Sequence, residues 1–209
     1  MATKKETVVE ILPIDIRMAE ITVVGDTPLI MHKWSEKAKR EMLEKQMKVA
    51  KTKGKDAKSP VADFIDSIYW LEGEPEEKTE EGFLKAVGSA KFGFPATAFK
   101  ASAVAAGYRS GILKNMVTAN GAFHIIGEFV EINGKPQMRE DMVRVGMGTA
   151  DIRFRGEFPT WSAKFTIRYN ASVFTLEQIV NLFNLGGFAC GIGEWRPEKG
   201  GTNGMFHVG

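Results

Sequence analysis

The alternation of apolar and polar residues predicts strands near the start of the chain, followed by helices. Residues 8–24 are rich in β-branched residues and partly alternate, which predicts one broken strand or two consecutive strands. The turn residues 25–28 end this stretch. Ser35 suits the N-cap of a lysine-rich helix, and Val61, Phe64 and Ile68 have the spacing of a second helix over 61–71.

The second half of the chain predicts one helix, a group of strands and a further helix. Pro95 introduces an alanine-rich helix over 96–110, and residues 122–132 predict a strand that turns at Asn133-Gly134, a strong hairpin signal. Strands over 142–145, 151–155 and 162–169, a helix over 175–185 and a short strand near 205–208 follow. This order predicts an α+β fold with a ferredoxin-like core, an antiparallel sheet with helices on one face.

Composition excludes several classes of protein. The chain has 209 residues, 44% hydrophobic and 26% charged, which suits one folded domain over 1–209 rather than a disordered or fibrous chain. The single cysteine, Cys190, and three scattered histidines predict no internal disulfide, no cysteine-based zinc site, no metal and no cofactor. We expect a reducing, cytoplasmic location without membrane contact, because the chain has no apolar signal core and no run of about 18 apolar residues.

Charge is distributed unevenly, although the net charge is only +2. Residues 33–58 hold ten basic and four acidic side chains, and residues 63–81 hold eight acidic side chains and one lysine. We interpret 33–83 as a charged insertion of helix and loop. Its charges either form solvated surfaces, or the basic part binds phosphates while the acidic part contacts a neighbouring subunit.

A glycine-rich segment near the end of the chain is the strongest candidate site. Residues 186–204 include seven glycines, whose backbone amides can approach phosphate oxygens, and Arg196 and Lys199 add positive charge. The segment lacks the pattern of a Walker loop and follows a helix, unlike a dinucleotide fingerprint. The alternative interpretation is a left-handed helix cap at Gly186 or Gly187 followed by a linking loop.

Basic residues also recur on the predicted strands between 143 and 169. Arg153 and Arg155 are two apart, so they share one face of a strand and predict a basic sheet face. Aromatic residues nearby would allow stacking on single strands, although the same pattern is also typical of a solvated sheet face above core aromatics. None of the histidines His32, His124 and His207 has a nucleophile or an orienting carboxylate at a sequence spacing typical of a catalytic site. We therefore expect a protein without enzymatic activity.

Two motifs in the chain resemble the RAMP superfamily, which includes the backbone subunits of CRISPR effector complexes. The motifs are Phe94-Pro95 with the alanine-rich helix containing Lys100, and the glycine loop around Gly193-Glu194-Trp195-Arg196. The chain is also similar to proteins encoded by tailed phages, which share Tyr69-Trp70, the Arg-Val-Gly at Arg144 and Ile167-Arg168-Tyr169. The resemblance implies a modified RNA-recognition-motif fold that binds single-stranded nucleic acid along its backbone and can polymerise along it.

These observations lead to one leading hypothesis and two alternatives. We expect a single-stranded DNA- or RNA-binding protein, encoded by a phage, that coats or anneals strands without reading sequence and assembles as a homo-oligomer or filament. The predicted binding residues are Lys100, Arg109, Arg144, Arg153, Arg155, Arg168, Gly191, Gly193, Trp195, Arg196 and Lys199, and Trp195, Tyr169 or Phe154 would stack on bases. The alternatives are a viral inhibitor or mimic of a CRISPR effector subunit that acts by protein-protein binding, and a metal-independent endoribonuclease using His32 or His124. CRISPR proteins or phage recombination proteins are possible partners.

Overall fold

Ten strands and six helices make up the part of the chain that the computed structural model describes, residues 13–48, 58–145 and 148–209. The helices are α1 (Glu36–Gln46), α2 (Pro60–Asp66), α3 (Glu80–Ala86), α4 (Ala96–Arg109), α5 (Met116–Ala122) and α6 (Leu176–Ala189). The strands are β1 (Ile16–Gly25), β2 (Leu29–Met31), β3 (Trp70–Glu72), β4 (Lys91–Pro95), β5 (Phe123–Ile125), β6 (Phe129–Gly134), β7 (Gln137–Val145), β8 (Thr149–Phe158), β9 (Trp161–Asn170) and β10 (Phe206–Val208).

The larger sheet contains the ferredoxin-like core. Its order is β10-β1-β9-β6-β4-β3, and β5 also pairs with β9; every pairing is antiparallel. If β5 and β6 count as one interrupted strand, then β1, α4, β5/β6, β9, α6 and β10 form a βαββαβ unit with strand order 4-1-3-2. The predicted α+β class and ferredoxin-like core are therefore confirmed.

Both core helices cover the same face of this sheet. Alternate residues of β9, from Trp161 to Tyr169, are buried, as the period of two along a strand requires. On this face the ring of Phe165 lies 5.3 Å from the ring of Phe99 on α4 and 5.4 Å from that of Phe183 on α6. The residues between them on β9 face the other side of the sheet, where Arg168 is exposed.

Close helix packing explains the first two glycines of the glycine-rich segment. Gly186 and Gly187 lie inside α6, so the interpretation of either as a left-handed cap is wrong. A Cβ at Gly186 would lie 2.7 Å from the Cα of Ala103 on α4, and a Cβ at Gly187 would lie 1.8 Å from the carbonyl oxygen of Phe206. These two positions are glycine because α6 packs directly on backbone.

A second sheet has the order β2-β8-β7, again antiparallel. The predicted hairpin at Asn133-Gly134 is wrong: β6 pairs with β4 and β9, whereas β7 pairs with β8. Both edges of β6 are already occupied in the larger sheet, so the chain leaves that sheet after Gly134 and starts the second one.

The region between β1 and β4 departs from the predicted helix over 61–71. The helix α2 ends at Asp66, where the hydroxyl of Ser67 donates to the carbonyl of Phe64 and accepts from the backbone N–H of Gly156 on β8. Trp70 then belongs to β3, not to a helix. The helix α1 begins after Ser35 as predicted, with the Ser35 hydroxyl accepting from the N–H of Ala38. Residues 8–12 and 49–57 of the predicted elements lie outside the described residues.

Among the helices of the described residues, none has the length and apolar character needed to cross a membrane.

Candidate nucleic-acid interface

The strand β2 brings three polar residues together. Its residue Met31 pairs with Gly156 of β8, and the carbonyl of Ile30 accepts a hydrogen bond from the N–H of Glu194 in the glycine-rich segment. The residues next to these backbone contacts are His32, Arg155 and Glu194, which therefore meet at one point. We call these three residues the junction.

Contacts within the junction are polar and close. The Nδ1 atom of His32 lies 3.6 Å from Oε1 of Glu194 and 3.5 Å from Nη2 of Arg155. The Arg155 Nη2 lies 3.9 Å from Oε2 of Glu194. The hydrogen bond to His32 lowers the pKa of Glu194, and the charge of Arg155 adds to this effect against the opposing cost of burial. The Glu194 carboxylate is therefore held in its ionised form.

Three cavities meet at the junction. The inner cavity, about 460 Å³, lies between α4 and the glycine-rich segment and includes Tyr69, Arg109, Arg196 and Glu198. The hairpin cavity, named after the paired strands β7 and β8, has a volume of about 680 Å³. It lies between residues 32–41 of the α1 region and β8, and it includes Arg144, Arg153 and Arg155. The outer cavity, about 780 Å³, is lined by Arg144, Arg155, Trp195, Arg196 and Lys199. Neighbouring cavities share lining residues, and we refer to the three cavities together as the connected groove.

Arg155 is a structural part of this groove and not a free cation. It is 5% exposed, and its Nη1 donates to the buried carboxylate of Asp141 at 3.2 Å. Arg139 also donates to Asp141, at 2.8 Å, and to Glu157 at 2.8 Å. The Nε of Arg155 has no hydrogen-bond partner in the described structure. The predicted basic face formed by Arg153 and Arg155 is therefore wrong, because acidic residues of β7 and β8 alternate with these arginines.

Arg153 is paired as well. Its Nε lies 2.8 Å from Oδ2 of Asp151 in an ion pair, and Lys58 contacts the same carboxylate. Hydrogen bonding to Lys58 and the charge of Arg153 lower the pKa of Asp151. The face of β8 that enters the hairpin cavity thus carries opposite charges in contact with each other.

Glycine lets the loop after α6 pack tightly on β2. Gly193 has a φ of 79°, and a Cβ there would lie 2.5 Å from the carbonyl oxygen of Ile30. Gly204 has a φ of 68°, and a Cβ there would lie 1.7 Å from the carbonyl oxygen of Ile192. Both positions require glycine for the loop conformation itself, whatever the loop binds. Gly191 and Gly193 also line the inner cavity, but the backbone N–H of Gly191 donates to the carbonyl of Gly186 at 2.8 Å and is therefore not free for a phosphate oxygen, contrary to the predicted role of the loop amides.

A carboxylate lies between two predicted phosphate ligands. Arg109 Nη2 donates to Glu198 Oε1 at 2.6 Å, and Arg196 donates to Glu198 Oε2 from Nε at 3.0 Å and from Nη2 at 2.8 Å. Arg196 Nη1 also donates to the carbonyl of Gly193 at 3.0 Å. The groove is therefore lined by negative as well as positive groups, whereas the sequence analysis predicted a binding site of basic residues and glycines.

The outer cavity presents a different surface. Trp195 has a left-handed φ of 53° and is 42% exposed. Arg144 and Lys199 line the same cavity, and neither forms an ion pair with another residue in the described part of the chain. An exposed indole beside unpaired cations is the arrangement that stacking on a base and contact with phosphates require.

Two predicted binding residues, Lys100 and Arg168, line none of the three cavities. Lys100 Nζ donates to the carbonyl of Asn120 at 2.6 Å and lies 5.6 Å from the ring centre of Phe123, and its burial lowers its pKa. Arg168 pairs in register with His124 on the uncovered face of the larger sheet. Tyr169 is buried, so it has no free ring face for a base. The partly buried Phe154 lines the hairpin cavity.

Sequence reasoning missed the acidic partners. Glu194 and Glu198 are four residues apart on either side of Arg196, and this alternation of acid and base was a usable signal for pairing within the loop. Asp141 follows Arg139 by two residues, so a strand would place both side chains on one face. Nothing in the sequence indicated that Arg155 from the neighbouring strand would share that carboxylate.

Comparisons with known proteins give a likeness to solved structures but not to families or curated proteins. No protein-family model matches the chain, and no curated protein matches it. The crystal structure of Cmr6 from Pyrococcus furiosus is similar, with a TM-score of 0.45 and 8% identity over 94% of this chain and 100% of that chain.

Proposed function

We propose that the protein binds single-stranded nucleic acid along the connected groove and has no enzymatic activity of its own. The observation that carries this proposal is the outer cavity, where the exposed Trp195 lies beside the unpaired Arg144 and Lys199. An aromatic ring can stack on any base, and cations bind the phosphates between bases, so sequence-independent binding follows. Arg196 extends the line of cations from the outer to the inner cavity.

Ionic strength provides the first test. Each phosphate bound by a cation releases counterions, so the logarithm of the affinity should fall linearly with the logarithm of salt, with a slope of about −0.7 per phosphate on a single strand. Fluorescence anisotropy with labelled DNA and RNA oligonucleotides between 50 and 200 mM salt gives this slope. An affinity that does not change over this range contradicts the proposal.

Assembly on the strand is part of the same proposal. The resemblance to the RAMP superfamily implies side-by-side polymerisation, which would align the grooves of neighbouring copies along one strand. Electron micrographs taken before and after addition of a long single strand test this. We expect filaments or rings only after addition, and single particles in both samples would contradict assembly while leaving binding intact.

The junction favours a second candidate, cleavage of RNA. His32 lies within 3.6 Å of Glu194 and 3.5 Å of Arg155, at the point where the three cavities meet. In such a reaction His32 would accept the proton of a ribose 2′-hydroxyl, the 2′-oxygen would bond to phosphorus, and the 5′-oxygen would leave and take a proton from water. Arg155, which is buried and bonded to Asp141, would position the ring of His32 and would not contact the phosphate itself.

The two candidates are separable by product analysis. Cleavage requires the 2′-hydroxyl, so a DNA strand of the same sequence stays intact while RNA gives fragments with a 2′,3′-cyclic phosphate. The variant His32→Ala should lose cleavage and retain binding. Intact RNA after incubation with the wild-type protein rules out this second candidate and leaves the binding function unaffected.

A further inference from the structure

Two guanidinium groups converge on one carboxylate at the edge of the inner cavity. Arg109 at the end of α4 and Arg196 in the glycine-rich segment are distant in sequence, and both bond to Glu198 at 2.6 to 3.0 Å. All three residues line the inner cavity. A planar guanidinium fits the oxygens of carboxylates and phosphates equally well. The arrangement is therefore a two-arginine anion site occupied by a side chain of the same protein.

This site has more positive than negative charge. Glu198 supplies one negative charge to two arginines, and its side chain is only 20% exposed. Burial alone would raise the pKa of Glu198, but the hydrogen bonds from Arg109 and Arg196 outweigh it and lower that pKa. Glu198 therefore stays ionised, and these three residues together carry one positive charge. Glu194 also lines the inner cavity and interacts with Arg196, but its carboxylate lies 3.9 Å from Arg155 as well.

The charge of a competing ligand decides whether it can displace Glu198. An internal phosphodiester carries one negative charge, so exchanging Glu198 for it replaces one monoanion by another and gains little. A terminal phosphomonoester carries about −1.5 to −2 charges at neutral pH and has three acceptor oxygens. Only the terminal phosphate supplies the second charge that the two arginines can use.

We propose that Arg109 and Arg196 form a subsite for the terminal phosphate of a nucleic-acid strand, and that Glu198 occupies this subsite until such a phosphate displaces it. The inference rests on the proposed binding function and adds a preference for strand ends. The inner cavity, at about 460 Å³, lies within the usual size range of small-ligand sites, about 300 to 1,000 Å³. Tyr69, Asn120 and the small side chains of Ala98 and Ala101 line the space that the last nucleotide would enter.

Oligonucleotides that differ only at one end test the proposal. Strands with a 5′-phosphate, a 3′-phosphate or hydroxyls at both ends are labelled at the end not under test, and their affinities are measured by anisotropy at constant salt. We expect one phosphorylated end to bind about tenfold more tightly than the hydroxyl strand. This preference should shrink below pH 6, where the phosphomonoester dianion takes up a proton and becomes a monoanion.

Variants assign the preference to these residues. Arg109→Gln should abolish the preference for a phosphorylated end, and Arg109→Lys should retain part of it. Glu198→Gln should tighten binding of the hydroxyl strand and reduce the preference, because an internal phosphate no longer competes with a carboxylate. Glu177→Gln is the control for net charge, since Glu177 lies in the first turn of the 14-residue α6, about 18 Å along the helix from its last residue, Ala189.

The possible outcomes separate this inference from the proposed function. If all three strands bind the wild-type protein with one affinity, the terminal-phosphate subsite is wrong and strand binding stands. Glu198→Gln with the affinities of the wild type would also overturn the role of Glu198. If no strand binds at all, both proposals fail. Should Glu198→Gln not fold, the comparison of Arg109→Gln with Arg109→Lys decides.

Discussion

The inner and outer ends of the groove share Arg196 and Glu194, yet they hold their cations differently. At the inner end, Arg109 and Arg196 are matched by Glu198, and at the junction Arg155 is matched by Asp141 and Glu194. At the outer end, Arg144 and Lys199 have no such partner within the described residues. The number of basic residues near a site therefore does not measure the positive charge that a ligand meets.

This difference separates structural cations from cations available to a ligand. A buried, paired arginine contributes to the fold, because removal of its partner leaves an uncompensated charge in a poorly solvated place. An exposed, unpaired cation contributes little to stability but is free to bind a phosphate. Substitutions at the two ends should therefore affect different measurements.

The largest expected effect is on stability, at Asp141. Asp141→Ala removes the carboxylate that Arg155 and Arg139 share, and leaves the buried Arg155 with only the more distant Glu194, at 3.9 Å, as an acidic partner. We expect a loss of about 3–5 kcal/mol in the free energy of unfolding, measured by urea denaturation. The double variant Asp141→Leu with Arg155→Met should be less destabilised than Asp141→Ala. A change below about 1 kcal/mol for Asp141→Ala would contradict a structural role for this pair.

The next largest effect concerns affinity, at Trp195. Loss of a stacking ring costs about 1–3 kcal/mol per base, which corresponds to roughly 5- to 150-fold in Kd. Trp195→Ala should weaken oligonucleotide binding by this amount, and Trp195→Tyr should retain most of the affinity. Phe188→Ala is the matched control, since Phe188 is 70% exposed and lines none of the three cavities. Equal affinities for Trp195→Ala and the wild type would remove the main support for base stacking.

A smaller effect compares paired with unpaired cations directly. Arg144→Gln should reduce the salt slope by about 0.7, the contribution of one phosphate contact. Arg153→Gln should leave the slope unchanged, because Arg153 is already bound to Asp151. The measurement is the anisotropy titration at several salt concentrations. If both substitutions change the slope equally, the pairing seen in the structure does not control which cations bind phosphate.

Local patterns predicted the fold better than the site. The alternation in β9 and the N-caps at Ser35 and before α6 depend on neighbouring residues, so the sequence carries them directly. The Asn133-Gly134 turn does not form the predicted hairpin, because both edges of β6 pair with strands that are distant in sequence, β4 and β9. The pairing of Arg155 with Asp141 likewise depends on how β7 and β8 align, which residue types alone do not encode.

The same reasoning explains the mixed result for the predicted binding residues. Nine of them line the connected groove, namely Arg109, Arg144, Arg153, Arg155, Gly191, Gly193, Trp195, Arg196 and Lys199. These residues cluster because the glycine loop and β8 both neighbour β2, a long-range arrangement that the sequence analysis did not predict. The availability of the cations was not predicted either, since it depends on carboxylates such as Glu198 that the residue count treated as separate charges.

The smallest expected effect is on the pH dependence of stability, through Glu198. Its pKa is lowered in the folded protein, where burial opposes and the hydrogen bonds from Arg109 and Arg196 favour the ionised form. Its contribution to stability is therefore complete above its ordinary value of 4.5 and is lost as pH falls through the lowered pKa. We expect Glu198→Gln to have a lower Tm than the wild type at pH 7, and the difference should shrink as the pH approaches 3. Glu177→Gln should show no such convergence, because Glu177 has no ion pair in the described part of the chain. If instead Glu198→Gln is as stable as the wild type at pH 7, Glu198 holds the two arginines without stabilising the fold, and it would be easier to displace.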